Sequence, residues 1–134
     1  MRIETALKFA ALAHLGLIAA GALMPRATGL WSEVRRLSPF GGTLFRVYYA
    51  FIGLCLFSFG AASWFFAADL ANGSAFARAV CLFLAAFWTV RLIAALLLDV
   101  RPYLVNRWWR IGYGATNVVF GVLPVIYAWA ALRQ

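Results

Sequence analysis

Residues 87 to 99 read FWTVRLIAALLLD, an apolar run with a single guanidinium, Arg91, set inside it. An arginine so placed has three uses: it holds an anion, lays its plane on an aromatic ring, or snorkels to headgroups. On its own helical face lie Trp88, Ala94 and Ala95, at separations of three and four. Trp88 offers a cation–π partner, and the alanines let a neighbouring helix come close. Counting from Asp99, Arg91 is about eight residues in, roughly 12 Å, too deep for easy contact with water. It is therefore expected to face protein or a wet cavity.

Other polar groups fall at a similar depth. Tyr48 and Tyr49 lead one apolar segment, and Tyr113, Thr116 and Asn117 lead another. Tyr49, Gly53, Leu56, Gly60 and Ser63 form one helical stripe; Tyr113, Asn117, Gly121 and Pro124 form a second. Both read as inward faces of a bundle. The spacing predicts a polar cluster around Arg91, Tyr49 and Asn117, with Trp88, Tyr48, Tyr113 and His14 as further ligand-binding candidates. The alternative is that these groups only satisfy one another, or that Arg91 reaches headgroups or Asp99.

His14 has Ala10, Ala11 and Gly21 on its side of a helix and is expected to face protein. A membrane histidine serves as a haem ligand or a proton relay, but with His14 the sole histidine, bis-histidine ligation within one chain is impossible. No cofactor is expected. Nor is a metal, since the acids number four and no His/Cys cluster has ligand spacing. Cys55 and Cys81 differ by roughly 9 Å in depth, too far for a disulfide. Glu4, Glu33, Asp69 and Asp99 all fall at helix ends or in loops, and no nucleophile–base pair is apparent. No catalytic residue is assigned.

The elements that position these groups follow from composition. The chain is 66% hydrophobic and 12% charged, against roughly 45–50% and 25% in a soluble domain. Its backbone must satisfy itself inside hydrocarbon, and the runs lack the alternation of barrel strands. The fold class is an all-α integral membrane protein of one domain. A bilayer core of about 30 Å needs ~20 apolar residues, and four segments qualify: about 5–24, stopped by Pro25; 43–70, ending at Asn72-Gly73-Ser74; 77–99, stopped before Arg101-Pro102; and 111–132, where Gly121 and Pro124 predict a kink. They are expected to form an up-down bundle.

Within the first connection, Leu30, Trp31, Val34 and Leu37 share one helical face, opposite Ser32, Glu33, Arg35 and Arg36. This spacing predicts a short interfacial helix between the first two spans. Arg2 and Lys8, followed by apolar residues and by Ala20 and Ala22, also fit a signal peptide; the segment is read here as a transmembrane helix.

Arg26, Arg35, Arg36, Arg46, Arg101, Arg107 and Arg110 occupy the first and third connections, against Arg2, Lys8, Arg78 and Arg133 on the other side. The positive-inside rule then puts both termini outside the cytoplasm, the expected setting being a bacterial inner membrane. Trp31, Tyr103, Trp108 and Trp109 fit a cytoplasmic aromatic belt, with Trp64 and Trp129 at the other. The net charge of +8 reflects topology and anionic headgroups; no nucleic-acid motif accompanies it.

The chain is unlike the small multidrug-resistance transporters, which carry a glutamate in the first span where this one has His14, and unlike the vitamin K epoxide reductases, since no CxxC is present. The first functional expectation is a non-enzymatic accessory or scaffold subunit of a larger membrane assembly, or a homo-oligomer. Phe57, Phe59, Phe65 and Phe66 cover more of the second helix than a four-helix bundle can bury. The alternative is a binding or transport protein that holds an anionic or amphipathic molecule near Arg91. A lipid- or isoprenoid-modifying enzyme is a weaker option built on the same residues.

Overall fold

The computed structural model describes residues 2–133, and among them every regular element is helical. The order is α1 (Ile3–Ala27), α2 (Leu30–Arg36), α3 (Pro39–Phe65), α4 (Ala67–Leu70), α5 (Ala75–Leu97), a 3-10 turn (Arg101–Tyr103) and α6 (Arg107–Leu132). The helices α1, α3, α5 and α6 are long and apolar enough to cross a membrane.

Local chemistry sets most of the boundaries. Ser38 caps α3 by accepting from Gly41 N, with Pro39 in the first turn, where its missing N–H leaves no carbonyl unpaired. Ser74 caps α5 from Ala77 N, and the Asn106 side chain accepts from Trp108 N at the start of α6. Gly29 and Gly73 have positive φ, as the turns before α2 and α5 require. Three of the bounds that differ from expectation have a clear cause. The second long helix ends at Phe65, and a bend at Phe66 (φ −107°, ψ 23°) starts the separate turn α4. The last helix begins at Arg107, because Asn106 supplies a cap before the apolar run starts.

The third difference is at Pro25, which does not stop α1. The helix runs on to Ala27. A proline inside a helix removes the hydrogen bond to the carbonyl four residues back, here Gly21, and the Tyr49 hydroxyl of α3 donates to that carbonyl instead. The vacated acceptor is satisfied from the neighbouring helix, and Pro25 is buried.

Side-chain pairings give the arrangement. Gly21 meets Tyr49 and His14 meets Gly60, so α1 and α3 run antiparallel. Arg91 meets Phe120 and Leu98 meets Tyr113, so α5 and α6 do too. The pairs join where His14 meets Trp88 and Tyr127, Phe59 meets Phe87, and Ser63 meets Tyr127. One end of the molecule thus holds the α1–α3 and α5–α6 connections, and the other holds the start of α1, the end of α6 and the α3–α5 turn.

The terminal end is the packed one. Ala6, Leu7, Ala10, Ala67, Leu70, Cys81, Leu84, Leu123, Tyr127, Ala130 and Ala131 belong to its core. Toward the connections the interior thins: no residue is buried in α1 between Leu17 and Pro25, in α3 between Gly42 and Gly60, or in α6 before Phe120. Among the described residues, the hydrogen bonds and ring contacts of that end stay within α1–α2–α3 or within α5–α6 and their connection.

Candidate functional site

The guanidinium carbon of Arg91 lies 4.4 Å from the ring centroid of Phe120. Phe120 is midway along α6, whereas the Arg91 backbone is roughly 9 Å from the end of α5 at Leu97. The Arg91–Phe120 and Leu98–Tyr113 pairings are each seven residues apart along α5 and α6, so Arg91 meets a ring at its own level in the antiparallel pair. Among the described residues Arg91 makes no ion pair with Asp99. The expected cation–π partner is also different: Trp88 is stacked on Phe120 at 5.9 Å and 23°, so the indole supports the ring that Arg91 uses. Among the described residues the only ion pairs are Lys8–Glu4 and Arg36–Glu33, and no hydrogen bond engages Arg91.

Above Phe120, one face of α6 carries Asn117, Tyr113 and Arg110 at helical spacing. These residues, with Gly114, Asp99, Arg101 and the turn that follows, line a cavity of about 490 Å³. Tyr113 donates to Leu98 O (3.3 Å), and the Arg110 Nε donates to Leu104 O (3.0 Å), which fastens the α5–α6 connection over the cavity. The Oδ1 atom of Asn117 is buried and has no hydrogen-bond partner among the described residues. An amide oxygen left so is costly unless something not of this chain supplies a donor.

Of the candidates named from sequence, the structure gathers Arg91, Trp88, Tyr113 and Asn117 on the α5–α6 pair. Tyr49 is elsewhere, committed to Gly21 O and packed with Trp31 and Phe45. Tyr48 is exposed on the outer face of α3. Of the expected cluster, Tyr49 is engaged by α1, while Arg91 and Asn117 lie on the α5–α6 pair. Phe120, Arg101 and Arg110 were missed. The recurrence of Arg110, Tyr113, Asn117 and Phe120 on one face was a usable signal, but an aromatic there reads first as core.

His14 is fully buried at the junction of the two pairs. Its ring meets Trp88 edge-on at 5.1 Å, with Tyr127 at 6.2 Å and Phe59 at 6.4 Å. A carbonyl only accepts, so the 2.6 Å contact to Ala10 O puts the proton on Nδ1 and leaves Nε2 a bare acceptor. That Nε2 and the Trp88 Nε1 are both buried without hydrogen-bond partners among the described residues. The ring is enclosed by aromatic side chains, an environment unlike an open axial-ligand position. A second concavity, about 370 Å³ between α1 and α3, is lined by apolar residues such as Leu15, Ile18, Leu56 and Phe57, together with His14. Among the described residues no group of three or more His, Cys, Asp or Glu could hold a metal.

These observations define a four-span candidate membrane protein with an unpaired cation inside one helix pair. No protein-family model, curated protein or solved structure matches the chain.

Proposed function

We propose that this small multi-pass membrane protein binds an anionic amphiphile in the bundle, with Arg91 holding the anionic group. The observation that carries this is the absence of any acceptor for Arg91 among the described residues. A guanidinium presents five donors, and a charge at the centre of a span costs about 2.5–3.5 kcal/mol on insertion scales. The Phe120 face offsets part of this, on the order of 2 kcal/mol when desolvated. An anion from outside the chain supplies the rest and accepts the donors. Arg101 and Arg110 attract it, and Tyr113 and Asn117 wall its approach. In this reading the helices form an up-down bundle, α2 lies in the interface, and the arginine-rich connections face the cytoplasm.

The test is Arg91→Gln and Arg91→Lys, each followed by native mass spectrometry from a mild detergent and by thermal unfolding. The wild type should carry a defined extra mass of an anionic lipid or metabolite. Arg91→Gln should lose it while remaining folded, and Arg91→Lys should retain it only in part, since an ammonium cannot replace a planar fork. Loss of folding in both variants, with no adduct on the wild type, would make Arg91 a structural residue.

An accessory-subunit role is the second reading. It is supported by α3, which buries only Gly42, Gly60 and Ser63 and exposes Phe51, Ile52, Leu54, Phe57 and Phe65. Different chains in the same spectra would favour it; their absence, with an adduct present, would set it aside.

A further inference from the structure

Resting on the reading that Arg91 holds an anion from outside the chain, we propose that the head of that amphiphile carries a single negative charge. A carboxylate and a phosphodiester both qualify, and a dianionic phosphate monoester is rejected.

The side-chain pairings place the other charges relative to Arg91. On α6 its level is that of Phe120. On α1 it is about one turn from His14, which meets Trp88, and on α3 about one turn from Phe59, which meets Phe87. At a rise of ~1.5 Å per residue, the backbone of Asp99 is then about 12 Å away along the bundle, and those of Lys8, Arg26 and Arg46 about 14 Å. Arg110 is about 15 Å away, and Arg78 and Arg133 about 20 Å. The side chains of Asp99, Arg101 and Arg110 turn to the cavity at the α5–α6 connection, which Arg91 does not line. Among the described residues Arg91 is thus a lone cation in a layer of the span that is otherwise neutral.

Nothing else at that level balances a second charge. Trp88 Nε1, buried and without a hydrogen-bond partner among the described residues, is a neutral N–H beside the same Phe120 ring. His14 has its proton committed to Ala10 O and offers an anion no donor. One guanidinium therefore compensates one negative charge. A second charge on the same head would be held there unpaired, and an unpaired charge in a low-dielectric interior is the costliest group to bury. Esterifying a phosphate removes that charge and leaves two oxygens for the guanidinium fork, as a carboxylate also does.

The site is open on one side only. Arg91 is half-buried, whereas Phe120 and Trp88 behind it are buried. Its neighbours on the outer face of α5, Val90 and Ile93, are exposed and apolar. A ligand at this level meets hydrocarbon with everything but its head, which requires an amphiphile and not a free inorganic anion.

The experiment uses the full chain in nanodiscs of phosphatidylcholine, with binding read from thermal shifts of tryptophan fluorescence and empty nanodiscs correcting for partition. The probes are decyl phosphate, decyl methyl phosphate and decanoate. At about pH 9 a phosphate monoester, whose second pKa is about 6, is a dianion, and its methyl ester is a monoanion. The methyl ester should bind about tenfold tighter or more at that pH, and the ratio should fall toward one at about pH 5, where the monoester takes up a proton. Arg91→Gln should lose binding of all three probes; Arg91→Lys, which keeps one charge, should bind them more weakly with the same preference. Decanoate binding tightest identifies a carboxylate as the source, and decyl methyl phosphate binding tightest identifies a phosphodiester lipid.

Equal or tighter binding of the dianion, lost in Arg91→Gln, would overturn the single-charge requirement and leave the anion reading standing. No binding of any probe to the wild type would overturn both. A preference for the monoanion that persists in Arg91→Gln would assign it to the bilayer and remove Arg91 from the site. The charge comparison is made on the wild type at two pH values, so it holds even if Arg91→Gln fails to fold.

Discussion

The two ends of the bundle solve the same problem differently. At the terminal end, four helices converge on His14, Ser63, Trp88 and Tyr127, and polar side chains meet each other: Ser63 Oγ and Tyr127 Oη are 2.6 Å apart, both buried. At the connection end, the polar groups are divided between two helix pairs. Tyr49 there satisfies the Gly21 carbonyl, whereas among the described residues Arg91 has a ring contact but no hydrogen bond, and Asn117 Oδ1 has no donor. In lipid, packing and not hydrophobic transfer holds helices together. The end that packs is therefore the scaffold, and the end that does not is where a ligand can be accommodated.

Breaking the scaffold should have the largest effect. Trp88 touches His14, Phe87 and Phe120 from a single buried position. Trp88→Ala should destabilise the fold by about 3 kcal/mol or more, the range for large buried aromatics, and lower the unfolding temperature markedly in detergent. Phe51→Ala, in the exposed outer face of α3, should change stability by no more than about 0.5 kcal/mol. Equal losses in the two variants would mean that the connection half of α3 is held as firmly as the core.

A second comparison lies within one stripe of α3. A Cβ added at Gly60 would come within 3.0 Å of the His14 Cβ, while one added at Gly53 meets nothing within 4 Å. Gly60→Ala should therefore cost about 1–3 kcal/mol by overpacking against α1. Gly53→Ala should be neutral or stabilising by up to about 1 kcal/mol, as helix propensity predicts. Paired thermal melts decide it, and a costly Gly53→Ala would show that the open end closes on something.

That pair also marks how far sequence reasoning reached. The long apolar runs gave the four long helices, because length and composition are local properties. The stripe through Gly60 and Ser63 was legible as an inward face, and Arg91 was legible as facing protein. Which inward faces meet was not legible, since periodicity on one helix says nothing about how far its neighbour stands. Tyr49 and Asn117 have the same depth and character in sequence, but the first is bound to Gly21 and the second lines a cavity. Pro25 misled for a related reason: a proline ends a helix when its orphaned carbonyl finds no donor, and the donor here comes from a residue distant in sequence.

The smallest effect tests that last point most sharply. Tyr49→Phe removes the hydroxyl that serves Gly21 O and should cost about 1 kcal/mol, the usual net value of one hydrogen bond. Pro25→Ala restores an N–H able to bond the same carbonyl within α1. In the Pro25→Ala background, Tyr49→Phe should then be nearly neutral, and the double-mutant cycle should return a coupling of about 1 kcal/mol between the two positions. A coupling near zero would mean that Tyr49 does not serve the carbonyl freed by Pro25. The tyrosine would then be available at the open end, and the division of polar groups between the two helix pairs would have to be redrawn.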